Sequence, residues 1–140
     1  MTRDVLARQL RRLDTLLHDL APHAGKSVEA VFEKRYEIER LLELLVQVTV
    51  DLVGHDLAER GVIPDTYRAA FIEAGRHGLV PPDLADRLAA AAGLRNVLVH
   101  LYEDIDYEIV TASVNRALDD FGRVADLYRM RLRDPNAPED

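Results

Sequence analysis

Residues 28–60 read VEAVFEKRYEIERLLELLVQVTVDLVGHDLAER, and this stretch decides the fold of the chain. It contains no proline and one glycine, Gly54. Apolar side chains recur in it at helical spacing: Ile38, Leu41, Leu42, Leu45, Val48, Leu52 and Val53. Gly61 is a typical helix stop, because glycine readily adopts the left-handed backbone conformation that closes a helix. A single helix of this length is unusual in a globular protein, so we expect a break near Phe32–Lys34.

The residues before this stretch predict another amphipathic helix. Five leucines lie at intervals of four, three, four and three residues and form one apolar stripe: Leu6, Leu10, Leu13, Leu17 and Leu20. Pro22 and Gly25 end that pattern, and Ser27 is a candidate N-cap for the helical residues that follow.

The residues after the stretch begin with a short predicted helix and a longer one. Asp65 or Thr66 can cap the short helix, and the glycines of the segment 75–78 can end it. Pro81 and Pro82 fit the first turn of the longer helix, where the missing N–H of proline costs nothing.

The last predicted helix begins at a cap formed by Asp104 or Asp106. Its apolar stripe consists of Ile109, Val114, Leu118, Phe121, Val124 and Leu127. No alternation typical of β-strands stands out. The sequence therefore predicts an all-α, up-and-down bundle of four or five helices over residues 1–132, followed by a flexible tail at residues 133–140.

The composition of the 140 residues narrows the classes of function. There is no cysteine, so disulfides, thiolate catalysis and cysteine-ligated zinc are excluded. The net charge of −7 argues against nonspecific coating of nucleic acid, yet it allows an enzyme that holds one or two phosphates in a local basic cleft. No apolar run is long enough for a membrane helix, and the start of the chain has no signal-peptide core. We therefore expect a cytoplasmic protein with no membrane contact.

One stretch carries a pattern that a generic helical bundle does not need. Residues 93–106 read GLRNVLVHLYEDID, in which Arg95 is followed by Asn96, an apolar spacer and His100. This order resembles the signature of HEPN-domain ribonucleases. The His-x-Tyr ending at Tyr102, with the Ile-Asp pair after it, resembles the HepT type of toxin within that family.

The resemblance covers residues 1–130 and implies a specific activity. Proteins of the HepT type are homodimers whose two Arg–His motifs face each other across the interface, and they cut RNA without a metal or another cofactor. The implied partner is a MntA-like minimal nucleotidyltransferase antitoxin that attaches AMP to the motif tyrosine and thereby silences the toxin. By position this tyrosine is Tyr102. The expected function is that of an endoribonuclease toxin in a type VII toxin–antitoxin system.

The residues of the motif suit RNA cleavage through attack by the ribose 2′-OH. His100 is the side chain best suited to the proton transfers, because histidine titrates near neutral pH. The guanidinium of Arg95 presents a fork of donors that fits phosphate oxygens, and the amide of Asn96 can add a neutral donor. The expected products carry a 2′,3′-cyclic phosphate and a 5′-hydroxyl.

Helical geometry separates these residues. On a regular helix Arg95 and Tyr102 lie about 20° apart around the axis, whereas Arg95 and His100 lie about 140° apart. One regular helix cannot direct both of the latter at one phosphate. Either the helix loosens or ends near His100, or the site is composite and two protomers supply its parts, which agrees with the dimer that the resemblance implies.

Arg35 and Arg40 are candidate substrate-side cations, because an acidic protein needs local positive charge near its RNA. Pairing with glutamates one helical turn away is the equally open alternative. Asp51, His55 and Glu59 lie one turn apart from each other, but the Glu-x-x-His pattern of di-metal bundles is absent, so we predict no metal site.

A non-catalytic HEPN dimer that binds a nucleotidyltransferase is the alternative function. The intact set of arginine, asparagine, histidine and tyrosine favours the enzyme, since a binding module does not need all four. A generic helical interaction protein would leave the motif unexplained.

Overall fold

The computed structural model describes residues 1–100 and 105–134 of the protein, without the side chains of Val97, Val99 and His100. The residues described form six α-helices and one short 3-10 helix, and they contain no strand. The elements are α1 (Arg3–Leu20), the 3-10 helix (Ala21–His23), α2 (Val28–Glu33), α3 (Arg35–Glu59), α4 (Tyr67–Arg76), α5 (Pro82–His100) and α6 (Tyr107–Arg133). The predicted all-helical fold is confirmed.

The expected break in the central stretch lies at Lys34. The N–H of this residue bonds to the carbonyl of Val31 at 3.1 Å, and a new helix starts at Arg35. The predicted bundle had four or five helices. The additional helix in the structure is α2, which the break separates from α3. Ser27 caps α2 as predicted, accepting a hydrogen bond from the N–H of Ala30 at 3.2 Å.

The helix ends follow the local signals in the sequence. Of the two candidate caps of α4, Thr66 is the one that accepts a backbone hydrogen bond, from Ala69 at 3.0 Å. Asp106 caps α6, while Asp104 lies outside the described residues. Gly61, with a φ of 75°, closes α3 in the left-handed conformation that favours glycine.

The four long helices run alternately up and down. Side-chain bonds at two levels fix the directions of α3 and α5 relative to α6, and one bonded pair connects α1 to α6. The bonded pairs are Asp83–Arg123 and Arg87–Asp120 between antiparallel α5 and α6, Glu39–Tyr107 and Asp56–Tyr128 between parallel α3 and α6, and Asp14–Arg129 between α1 and α6. The short α4 packs against α3 and α5.

The inward faces of these helices form one apolar core. Its largest fully buried side chains include Leu13, Leu20, Ile38, Leu45, Leu52, Phe71, Leu88 and Phe121. Each such side chain contributes about 1.5–3 kcal/mol on burial. The expected position of Ile109 in this core was wrong: its side chain is 54% exposed, because the neighbouring Val110 takes the inward position at the start of α6.

The C-terminal end of the chain is described as far as Asp134. Helix α6 continues through Arg133, and the rest of the predicted tail, residues 135–140, lies outside the described residues. None of the helices in the described ranges combines the length and the apolar character that crossing a membrane requires.

Candidate functional site

The motif lies near the C-terminal end of α5. Arg95 is half-buried and Asn96 is exposed. The backbone is helical through His100, but the side chain of this residue and the whole of Tyr102 lie outside the described residues. The structure therefore gives the positions of Arg95 and Asn96, and the roles of all four motif residues stay predictions.

The guanidinium of Arg95 lies over an aromatic ring from another helix. Its central carbon is 4.7 Å from the ring centroid of Tyr67, the first residue of α4. Its Nε atom is buried and has no hydrogen-bond partner among the described residues. A cation held by a ring face keeps those of its N–H donors that are not buried available for an anion, which is what phosphate binding requires.

A cavity of about 440 Å³ lies beside Arg95, between α3, α5 and α6. Its walls are largely apolar, with contributions from Leu42, Ala91 and the exposed Ile109. Arginines 87, 95 and 116 also line it. The cavity thus combines apolar surface with positive charge next to the motif.

Asp120 is the acidic group of this cavity. Its carboxylate is buried and pairs with Arg87, with 2.7 Å between Oδ1 and Nε. Burial raises the pKa of Asp120, and the attraction of Arg87 offsets this only in part. Asp120 is already paired with Arg87. The other two arginines of the cavity, Arg95 and Arg116, have no ion pair among the described residues.

A second groove of about 400 Å³ contains both of the predicted substrate-side cations, Arg35 and Arg40. Tyr36, Glu39, Glu43, Leu98 and Tyr107 complete its lining, and we call it the aromatic groove. It lies where α3 and α6 begin, beside the C-terminal part of α5. Both arginines are therefore close to the motif helix.

The two arginines of the aromatic groove have different partners. Arg40 pairs with Glu43 at 3.1 Å, so the glutamate pairing that the sequence left open is present, at a spacing of three residues. Arg35 instead lies over two rings, 4.0 Å from the centroid of Phe32 and 4.6 Å from that of Tyr36. Its guanidinium also donates to the carbonyl of Phe32 at 2.9 Å.

The floor of the aromatic groove is a tyrosine–glutamate pair. The hydroxyl of Tyr107 donates to Oε2 of Glu39 at 3.3 Å. Burial raises the pKa of Glu39, against the opposing effects of the Tyr107 hydrogen bond and of the positive charge of Arg35. Burial also raises the pKa of Tyr107, and the negative charge of Glu39 adds to that effect.

Sequence reasoning missed Tyr67 and the Glu39–Tyr107 pair as parts of these sites. Tyr67 is 28 positions before Arg95, and Glu39 is 68 positions before Tyr107. No local spacing signals contacts at such separations. Only the packing of α4 on α5 and of α3 on α6 brings these side chains together.

Comparison with known proteins gives a family match over most of the chain. The model of the family described as ribonuclease HepT-like matches residues 6–127. The tRNA nuclease HepT of Aphanizomenon flos-aquae is 36% identical over 109 residues, which cover 75% of this chain and 74% of that protein. The mRNA nuclease HepT of Shewanella oneidensis is 28% identical over 89 residues, which cover 63% of this chain and 67% of that protein.

Solved structures show the same fold. The tri-AMPylated Shewanella oneidensis HEPN toxin in complex with MNT antitoxin is similar with a TM-score of 0.81, at 22% identity over 91% of this chain and 98% of that chain. A toxin–antitoxin structure with AMP-PNP gives a TM-score of 0.79, at 21% identity over 89% of this chain and 98% of that chain. The predicted HEPN-like fold is thereby confirmed. The family match and the 36% identity together show that this chain belongs to the ribonuclease HepT-like family.

Proposed function

We propose that this protein is the toxin of a type VII toxin–antitoxin system, a homodimeric, metal-independent endoribonuclease of the cytoplasm. Membership of the ribonuclease HepT-like family and the similarity to two HepT nucleases support this function. The observation that carries it is the state of Arg95. This half-buried cation of the motif has the ring of Tyr67 against it and no ion-pair partner among the described residues.

The chemistry follows from the motif residues. The imidazole of His100 takes the proton from the ribose 2′-OH, whose oxygen attacks the adjacent phosphorus. Arg95 stabilises the charge that develops on the phosphate oxygens, with Asn96 as an additional donor. A proton returned to the departing 5′-oxygen completes the cleavage, leaving a 2′,3′-cyclic phosphate and a 5′-hydroxyl.

The catalytic site in this proposal is composite. The backbone is helical from Arg95 to His100, the residue at which α5 ends, and this regular stretch supports a site shared between protomers. Positions 95 and 100 on one helix diverge by about 140°. The cavity beside Arg95 offers an apolar surface, including the exposed Ile109, that a second copy can cover. In such a dimer Arg95 of one protomer and His100 of the other act on one phosphate.

Regulation in this proposal acts at Tyr102. A MntA-like nucleotidyltransferase transfers AMP from ATP to its hydroxyl with release of pyrophosphate, adding a negatively charged phosphate two residues from His100. That charge competes with the phosphate of the RNA for Arg95 and repels the substrate. One solved complex with this fold contains a tri-AMPylated HEPN toxin with an MNT antitoxin, which supports the same control here.

Expression of the protein without an antitoxin tests the activity. We expect growth arrest and RNA fragments ending in a 2′,3′-cyclic phosphate, with cleavage that persists in EDTA. His100→Ala and Arg95→Ala should abolish both effects. Toxicity that persists in both variants would remove the ribonuclease function. Intact RNA with the wild-type protein would leave the non-catalytic HEPN dimer as the alternative.

A charge placed in the apolar cavity tests the composite site. Ile109→Arg should convert the dimer to monomers in sedimentation analysis and should abolish RNA cleavage, because burial of a charge at an interface opposes association. Met130→Arg is the matched control, since Met130 lies on the same helix and is 67% exposed. A monomeric Ile109→Arg protein that still cleaves RNA would contradict the composite site.

A further inference from the structure

The aromatic groove displays ring surface that the core does not use. The side chain of Tyr36 is 76% exposed and that of Phe32 is 45% exposed. Exposed rings of this size forgo the stabilisation that burial would provide. The two residues lie one turn apart, on either side of the break at Lys34, and present their rings at the same edge of the molecule.

The guanidinium of Arg35 holds these rings in place. It lies over both of them and donates one hydrogen bond to the carbonyl of Phe32 and another, of 3.3 Å, to the hydroxyl of Tyr36. Tyr107 packs edge-on against Phe32, with 5.0 Å between centroids. The aromatic surface is thus ordered by its neighbours, while most of Tyr36 stays open to solvent.

Glu39 gives the groove a hydrogen-bond acceptor. Its carboxylate is half-buried and accepts one bond from Tyr107, which leaves further lone-pair directions for a ligand donor. A hydrogen bond in such a partly desolvated position discriminates more strongly between ligands than one in water.

Arg40 adds a cation at the edge of the groove. Its side chain is 65% exposed, and its only ion pair within the described residues is the one with Glu43. An exposed pair of this kind contributes about 0–1 kcal/mol. An RNA phosphate can therefore replace Glu43 as the partner of Arg40 at little cost.

We propose that the aromatic groove binds one nucleotide of single-stranded RNA: the base stacks on Tyr36, an amino group of the base donates to Glu39, and the phosphate binds Arg40. The inference rests on the proposed RNA cleavage and assigns a substrate subsite beside the motif, because Leu98 of α5 lines the same groove. Ordered aromatic rings with neighbouring cations are how proteins bind unpaired nucleotides. The volume of about 400 Å³ lies within the roughly 300–1,000 Å³ typical of ligand pockets.

Binding of a short RNA to the His100→Ala protein tests the stacking without cleavage. We expect Tyr36→Ala to weaken the binding of a fluorescent single-stranded 12-mer about tenfold, and Tyr36→Phe to retain it. Ile63→Ala is the matched control, since Ile63 is also 76% exposed and lies beyond the opposite end of α3. Affinity of the Tyr36→Ala protein within about twofold of its parent would overturn the proposal.

Base preference tests the role of Glu39. An acceptor favours adenine and cytosine, which carry an amino group, over uracil, so oligo(A) and oligo(C) should bind about fivefold more tightly than oligo(U). Glu39→Gln should reduce this preference, because its amide can also donate to a uracil oxygen. An equal loss of affinity for all three oligonucleotides would show a structural role for Glu39 and contradict the assignment.

The same experiments separate the subsite from the catalytic proposal. If the wild-type protein binds RNA in a Tyr36-dependent way but does not cleave it, the proposed function fails and the subsite stands. If the wild-type protein cleaves RNA and Tyr36→Ala leaves both KM and binding unchanged, the subsite alone is refuted.

Discussion

Asp56 is the buried carboxylate on which the ends of α3 and α6 converge. Its side chain is 4% exposed, and Oδ2 accepts hydrogen bonds from the hydroxyl of Tyr128 at 2.8 Å and from Nη1 of Arg131 at 2.7 Å. Asp56→Ala removes both bonds at once. We expect a large loss of stability, because the two donors remain while their acceptor disappears.

The exposure of each donor determines how much free energy of unfolding is lost in the Asp56→Ala protein. The hydroxyl of Tyr128 belongs to a side chain that is 4% exposed, so leaving it without an acceptor costs about 1–3 kcal/mol. Arg131 is 33% exposed and can turn towards water, so loss of its ion pair adds only about 1 kcal/mol. The sum of about 3 kcal/mol is at the lower end of the roughly 3–5 kcal/mol for breaking a fully buried pair.

Urea unfolding followed by circular dichroism measures this loss. Asp51→Ala is the matched control, because Asp51 is exposed on the same helix and its removal should change the free energy of unfolding by less than about 0.5 kcal/mol. Tyr128→Phe, which removes one donor, should cost about 1 kcal/mol. A loss below about 1 kcal/mol for Asp56→Ala would refute the reasoning. RNA cleavage per folded molecule should not change, since Asp56 lies about 25 Å along α3 from Glu39.

The hydrogen-bonded pair of Tyr128 and Asp56 makes the free energy of unfolding depend on pH in one direction. Burial raises the pKa of Tyr128 well above 10, and the negative charge of Asp56 acts in the same direction. An unfolded tyrosine ionises near pH 10, whereas the folded chain keeps this one protonated. The free energy of unfolding should therefore fall as the pH rises above about 10. Tyr128→Phe should reduce this slope and remove one late-titrating tyrosine from the absorbance titration, and an unchanged titration would contradict the assignment.

Substitutions at two residues of α4, Gly75 and Tyr67, test how this helix packs against α5. Gly75→Ala should destabilise the protein by about 1–3 kcal/mol, because its Cβ would lie 2.6 Å from the Cβ of Ala85 on α5. Gly54→Ala, which meets no atom within 4 Å, should instead stabilise it by about 0.5–1 kcal/mol in the same urea assay. Equal stability of the two variants would contradict the close contact. Tyr67→Leu should slow RNA cleavage about fivefold through loss of the cation–π contact with Arg95, whereas Tyr67→Phe should keep the wild-type rate. A slow Tyr67→Phe variant would assign the effect to the hydroxyl.

The sequence by itself determined the helices and the family. Helix boundaries depend on residues a few positions apart, so capping residues and glycine were sufficient to predict the cap at Ser27 and the stop at Gly61. The length of the stretch was sufficient to predict a break near Phe32–Lys34. The ordered residues from Arg95 onward were enough to indicate the HepT type, and the family match over residues 6–127 confirms it. The helix boundaries and the family could be predicted because the residues that indicate each of them lie within one short segment.

Only the tertiary structure decided which distant side chains meet. Periodicity placed Ile109 in the core, yet the packing of α6 turns Val110 inward and leaves Ile109 at the cavity beside the motif. The ring of Tyr67 under Arg95 could not be predicted, because the direction in which α4 crosses α5 has no counterpart in sequence spacing. The aromatic groove likewise exists only because α3 and α6 run parallel, which brings together side chains 68 positions apart in the chain.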